Sequence, residues 1–170
     1  MKRPRSLKSR ALQLLAQREQ SRIELRRKLL AHARAVVVDL SAPLDPAGDP
    51  APDAEAQVDA VLDWLEANRF LSAERFAESR VHVRAERFGN LRIRHELAQH
   101  EVALSPEAQQ ALVDTELARA RAVRARKFPQ PPAPPAENAR QARFLGARGF
   151  SSDVIRRVLR EATQADAAGG

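Results

Sequence analysis

One nine-residue pattern occurs three times in this chain, and it limits the fold more than any other feature. The copies are Ser21-Arg22-Ile23-Glu24-Leu25-Arg26-Arg27-Lys28-Leu29, Gly89-Asn90-Leu91-Arg92-Ile93-Arg94-His95-Glu96-Leu97 and Ser151-Ser152-Asp153-Val154-Ile155-Arg156-Arg157-Val158-Leu159. Each has a small residue, three positions, Leu or Ile, Arg, Arg or His, any residue, then Leu. The copies start at 21, 89 and 151, so they are 68 and 62 residues apart. Self-similarity at such a period is the mark of a repeat architecture. The residues before each copy align too, with Leu15, Val83 and Leu145 equivalent. Each copy therefore reads as helix, tight turn, helix, and a further helix follows the first two (Val58–Leu65 and Ala108–Leu112). A unit of two or three helices buries little by itself, and stacking units end to end supplies the missing core.

The rest of the chain agrees with helices. Leu7, Ala11, Leu14 and Leu15 make an apolar stripe at helical spacing, as do Val58, Val61, Leu62 and Leu65, then Ala77, Val81, Ala85 and Phe88. Val113, Leu117 and Ala120 continue the pattern, and Ile155, Val158, Leu159 and Ala162 close it. Val36-Val37-Val38 is an isolated β-like run. Ser21 with Glu24 fits a capping box. Ser105-Pro106 fits a cap before a first-turn proline, Ser151 or Ser152 can cap the last helix with Asp153 near its positive end, and Gly149 suits a left-handed stop. Residues 41–54, SAPLDPAGDPAPDA, and 129–136, PQPPAPPA, are too proline-rich for helix.

These readings predict an all-α fold: a tandem array of three three-helix (helix-turn-helix-like) repeats, elongated and curved. The first repeat spans 1–67 with a Pro/Asp-rich insertion at about 35–54. The second spans 68–113, and the third spans 114–170 with the Pro-rich linker at 129–136.

Lys and Arg number 29 against 22 Asp and Glu, a formal charge of +7. Such a chain binds nucleic acid, an anionic membrane or an acidic protein surface. With no Cys there is no disulfide framework and no thiolate zinc site. No apolar run approaches the roughly 20 residues a membrane span needs, and MKRPRSLKSR leads into no apolar stretch that would make it a secretory signal. A cytoplasmic protein is expected. The apolar anchors of each copy should face neighbouring helices and turn the adjacent Arg-Arg or Arg-His pair outward, giving one basic patch per repeat. Arg22, Arg26, Arg27, Lys28, Arg92, Arg94, His95, Arg156, Arg157 and Arg160 are the candidate binding residues.

No catalytic constellation emerges. His95 and His100 do not have the HExxH spacing of a zinc site, no serine sits in a GxSxG turn, and no glycine-rich phosphate loop exists. No metal, cofactor or enzymatic activity is expected. Trp64 and the phenylalanines Phe70, Phe76, Phe144 and Phe150 read as packing residues, the latter as core between repeats.

At these residues a family resemblance emerges. Ala11 to Leu25 resembles the RecX opening "A L x L L x x R x x S x x E L". Phe70 to Ala77 resembles that family's "x L x D E R F A", with Ala73 where Asp is common. Gly89 to Leu97 is similar to "G x x R I x x E L", and Arg140 to Leu159 to "R x x R F L x x R G F S x x x I x x V L". The resemblance covers residues 7–34, 55–127 and 137–162. It implies a regulator of the recombinase RecA that binds in the groove of the RecA–single-stranded-DNA filament and inhibits strand exchange, ATP hydrolysis and coprotease activity in DNA repair, recombination and the SOS response. It also implies weak binding of single- or double-stranded DNA. A monomer is expected. The acidic insertion at 35–54 departs from the family, where a short turn is usual.

Two other readings compete. One is a direct DNA-binding helix-turn-helix protein. Readers of bases usually carry Asn or Gln on the recognition helix, and none stands between Arg22 and Leu30 or between Ile155 and Arg160. The other is a structural helical adaptor without nucleic acid. If the basic pairs matter, changing Arg26 and Arg27 together to Ala is expected to weaken filament inhibition more than folding.

Overall fold

A computed structural model describes residues 6–39, 53–132 and 135–169, all helix and connecting turn. The helices are α1 (Leu7–Gln17), α2 (Arg22–Asp39), α3 (Ala54–Ala67), α4 (Ala73–Ala85), α5 (Asn90–Ala98), α6 (Pro106–Lys127), α7 (Pro135–Ala147) and α8 (Ser152–Gly169). Among the described residues there is no strand, so the all-α expectation holds. The helices fall into two compact units, Met1–Phe76 and Ala77–Gly170, with the division inside α4.

In the first unit, α1, α2 and α3 close around Ala11, Leu14, Leu25, Leu29, Val58, Leu62, Leu65 and Leu71. Leu25 and Leu29, the anchors of the first copy, are fully buried, each contributing about 1.5–3 kcal/mol of apolar burial. Short polar side chains mark the helix starts. The Ser6 hydroxyl accepts from the Ser9 amide, Asp53 from Glu55, and Ser21 from Glu24 at 3.1 Å. The Glu24 carboxylate lies between Arg18 and Lys28. Trp64 packs on the core, stacks on Phe70 at 5.5 Å and carries the Lys8 ammonium over its ring. Phe70 is 45 % exposed, so it is not the core residue its place in the motif suggests.

The second unit is built on α6, which runs unbroken for 22 residues, about 33 Å at 1.5 Å per residue. The Ser105 hydroxyl caps it and Pro106 fills its first turn. Ala120 and Val123 of this helix pack with Leu145, Phe150 and Val158, and Leu117, Phe144, Val154 and Ile155 lie against them. The anchors Ile93, Leu97 and Leu159 are buried, with Ile155 partly so.

The turn before α5 meets the turn before α8. Gly89 donates its amide to the Arg148 carbonyl at 2.9 Å, and Leu91 donates to the Gly149 carbonyl at 3.0 Å. Gly149 has φ +79°, the left-handed stop read from the sequence. Ser151 precedes α8, and its hydroxyl donates to Glu116 at 3.3 Å.

The structure refines four details of the sequence reading. Val36-Val37-Val38 lies in the last turns of α2, because an apolar run of this length is ambiguous between strand and helix. The insertion placed at 35–54 begins within that helix and ends at the cap and first residue of α3, and its stretch 40–52 lies outside the described residues. Pro135 and Ala136, read as linker, open α7, where a first-turn proline loses no helical hydrogen bond. Val83, aligned with the buried Leu145, is 65 % exposed.

Candidate functional site

The ten basic candidates were expected to turn outward together. The structure separates them into paired and unpaired residues. Arg22 and Arg26 are one helical turn apart on α2, and α3 carries Glu55, Asp59, Asp63 and Glu66 at the same repeat. Arg22 bonds Asp63 and Glu66, each at 2.6 Å. Arg26 bonds Asp59 at 2.7 Å and Glu55 at 3.0 Å. Burial opposes the charge of Arg22, but the two carboxylates outweigh it and raise its pKa. The hydrogen bonds of Arg26 to Asp59 and Glu55 raise its pKa and hold Asp59 below the usual carboxylate range. These two arginines thus lie along the seam between α2 and α3 and do not point away from it. The seam is an ion-pair ladder, and its cations are already matched.

Lys28 is also committed. Its ammonium lies 3.2 Å from Glu24 and 2.8 Å from the Gln20 side-chain oxygen. On α5, Arg92 reaches Glu96 and the Ala147 carbonyl, each at 3.5 Å, with its guanidinium 4.4 Å from the Phe88 ring centre. His95 lies 3.1 Å from the Gln99 amide. On α8, Arg156 pairs with Asp153. Arg157 bonds Glu161 at 3.0 Å, and Arg121 of α6 binds the same carboxylate at 2.7 Å. These hydrogen bonds, Arg121 first, lower the pKa of Glu161.

Three candidates remain. Arg27, Arg94 and Arg160 are exposed and have no charged partner among the described residues. Arg27 and Arg94 lie at different positions of the first and second copies, and Arg160 directly follows the third. Their donors are free for a phosphate or a carboxylate.

A buried polar network lies beneath the second copy, and the sequence reading missed it. Glu116 of α6 is 6 % exposed and Asn90 is 5 % exposed. Glu116 accepts from the Asn90 amide at 2.9 Å. Arg119 donates to the Phe88 carbonyl at 2.8 Å, the Leu112 carbonyl at 3.0 Å and the Asn90 side-chain oxygen at 2.5 Å. Burial lowers the pKa of Arg119, opposed by the charge of Glu116. This network ties the start of α5 to α6, and Glu116 extends it to Ser151. The only trace in the sequence is a Glu and an Arg three residues apart in an otherwise ordinary charged helix.

A second group missed by the sequence reading lines a groove of about 400 Å³ formed by the turn after α4, the end of α6 and the end of α7. It contains Arg87, Phe88, Arg126, Lys127, Phe144 and Arg148. None of these is among the ten candidates. The run of basic residues in the last turn of α6, directly before Phe128, was the available signal.

Among the described residues no group of His, Asp and Glu is placed to hold a metal ion, and no helix is long and apolar enough to cross a membrane.

Comparison with known proteins agrees with the repeat. Residues 114–159 match a family model described as RecX, third three-helix domain. The chain is 51 % identical over 157 residues to the regulatory protein RecX of Leptothrix cholodnii, covering 91 % of this chain and 88 % of the relative. It is 46 % identical over 164 residues to the regulatory protein RecX of Ralstonia nicotianae, covering 95 % and 91 %. The crystal structure of RecX from Lactobacillus salivarius superposes with a TM-score of 0.63 over 93 % of this chain and 95 % of that one, at 17 % identity, which shows a shared fold. With the motifs in order, the fold in common and relatives this close over nearly the full length, the chain belongs to the RecX family.

Proposed function

We propose that this chain regulates the recombinase RecA by binding the RecA–single-stranded-DNA filament and inhibiting its activity, as a cytoplasmic monomer without catalytic chemistry. The observation that carries this reading is the match along 91 % of the chain to a protein named regulatory protein RecX. The three-repeat division at 67/68 and 113/114 is part of the proposal. Its second boundary falls inside α6, so the second and third repeats would share one helix.

Within the ten candidates, Arg27, Arg94 and Arg160 are the residues proposed to meet the filament. Arg22, Arg26 and Lys28 then serve mainly to hold the first unit together. Several weak contacts from one chain add through effective concentration, so no single arginine needs to bind tightly.

The test is the single-stranded-DNA-dependent ATPase of the cognate RecA with this chain titrated in at near-physiological salt. Inhibition well below one chain per RecA subunit is the expected result. No inhibition at excess protein would sink the proposal. A salt-steep affinity for naked duplex with one preferred sequence would instead favour a direct DNA-binding protein.

A further inference from the structure

The groove at the end of α6 differs from the α2–α3 seam in its charge balance. It is lined by four cations, Arg87, Arg126, Lys127 and Arg148, and one carboxylate, Glu86. Arg87 and Lys127 are exposed and have no ion-pair partner among the described residues. Arg126 donates to the Glu86 carbonyl at 2.7 Å and the Ala122 carbonyl at 3.4 Å. Both acceptors are neutral, so they fix its direction and leave its charge uncompensated. Along the α2–α3 seam every cation has a carboxylate, whereas here most have none.

The groove also carries flat surfaces. Phe88 and Phe144 are half-buried. The Arg148 guanidinium lies 3.8 Å from the Phe144 ring centre, and that of Arg92 lies 4.4 Å from Phe88. A guanidinium held against a ring is a plate on which a base can stack. The buried Val123 closes the floor.

We infer that this groove holds a stretch of single-stranded nucleic acid, its phosphates on Arg87, Arg126 and Lys127 and a base against the Arg148–Phe144 stack. The inference rests on the reading that the chain acts on a nucleoprotein filament, and it adds a site outside the repeated pattern. Cations beside stacking planes are what an unpaired strand uses, because its bases are free to leave their own stack. A duplex keeps its bases stacked inside, and an acidic peptide would use the cations and leave the planes idle.

The test uses the full chain without RecA and a short fluorescein-labelled oligothymidylate, read by anisotropy across a salt series. Arg87→Gln with Lys127→Gln removes two unpartnered cations, and a thermal melt confirms the fold. The expected result is a Kd raised about tenfold and a salt slope shallower by about 1.4, near 0.7 for each lost phosphate contact. An abasic strand of equal length should bind the parent several-fold more weakly. An unchanged Kd and slope in the double variant overturns the site, and so does equal affinity for the abasic strand. Loss of poly-glutamate binding with oligonucleotide binding intact would assign the groove to an acidic protein and also overturn it. RecA ATPase inhibition is read separately. If the oligonucleotide result holds and the parent does not inhibit RecA, the filament reading fails and the groove stands. If inhibition is intact and the groove variant binds DNA like the parent, the reverse applies.

Discussion

A Cβ at position 89 would stand 2.3 Å from the Gly149 carbonyl oxygen and 2.3 Å from the Phe150 nitrogen. Both are backbone atoms tied into the crossing of two turns, so neither can yield easily. At position 149 it would stand 2.6 Å from the Arg92 amide nitrogen, on a backbone already at φ +79°. Gly89→Ala and Gly149→Ala are each expected to cost about 1–3 kcal/mol or more, read by urea unfolding. A loss under half of the lower figure would mean that the crossing is looser than described. Arg26 and Arg27 are neighbours in different surroundings, the first paired with two carboxylates and the second exposed with no charged partner among the described residues. Arg27→Gln should leave stability within about 0.5 kcal/mol, as for surface changes generally, while raising the concentration needed to inhibit RecA. Arg26→Gln should lower the melting temperature and change inhibition less. The double Ala variant suggested by the sequence mixes these effects, because Arg26 is bonded to Glu55 and Asp59.

At the scale of helices, charge is arranged to match neighbours. Glu24 is buried against Arg18 and Lys28. Burial pushes its pKa up, but the hydrogen bonds and charges of those two partners outweigh it and hold the pKa below the ordinary 4.5. A carboxylate held lower in the folded chain adds stability that is complete above its unfolded value and is lost as pH falls through the folded one. Asp59 and Glu161 act in the same direction, through Arg26 and through Arg121 with Arg157. The melting temperature is therefore expected to fall as pH drops below about 4.5. Glu24→Gln should be less stable at pH 7 and decline less steeply, so that the two curves approach each other in acid. Parallel curves would show that Glu24 carries none of the effect.

The apolar anchors of the helices were legible because Leu25 with Leu29 and Ile93 with Leu97 repeat at helical spacing in each copy. The acidic face of α3 was equally regular, but nothing local tells which cations 29 to 44 residues away it will bind. That is why Arg22 and Arg26 read as solvent-facing. The continuity of α6 was also hidden. Its sequence PEAQQALVDTELARARAVRARK mixes small and charged residues, and the stripe of Val113, Leu117 and Ala120 marks its middle without marking its ends. The groove was missed because its residues come from three separated segments, Glu86 to Phe88, Val123 to Lys127 and Phe144 to Arg148, which nothing local links to one another.

Over the whole molecule the charge of +7 is unevenly divided. Residues 77–170 hold 16 Lys and Arg against 11 Asp and Glu, while residues 1–76 hold 13 against 11. The excess is thus concentrated in the second unit, and bulk charge alone would attribute any binding to it. A matched pair of variants separates charge from placement. Arg27, Arg94 and Arg160 changed together to Gln, and Arg22, Arg26 and Arg157 changed together to Gln, each take the formal charge from +7 to +4. The first set is expected to weaken RecA inhibition with little change in melting temperature. The second is expected to destabilise the fold and to weaken inhibition less. Equal loss of inhibition in both would mean that the filament senses net charge only.

The unbroken run of α6 sets a phase between everything that packs near its start and everything that packs near its end. Glu116 meets Asn90 and Ser151, and Arg121, only five residues on, meets Glu161. One residue inserted between them would turn the later half about 100° against the earlier half, taking Arg121 and Val123 off their partners without altering any of the residues involved. A substitution along this helix disturbs the contacts of one residue, whereas a change of length by a single residue shifts all those beyond it. Where other parts of the chain can drift in length, this helix works as an indexed shaft, and any change in its length that keeps both ends in register must come close to whole turns.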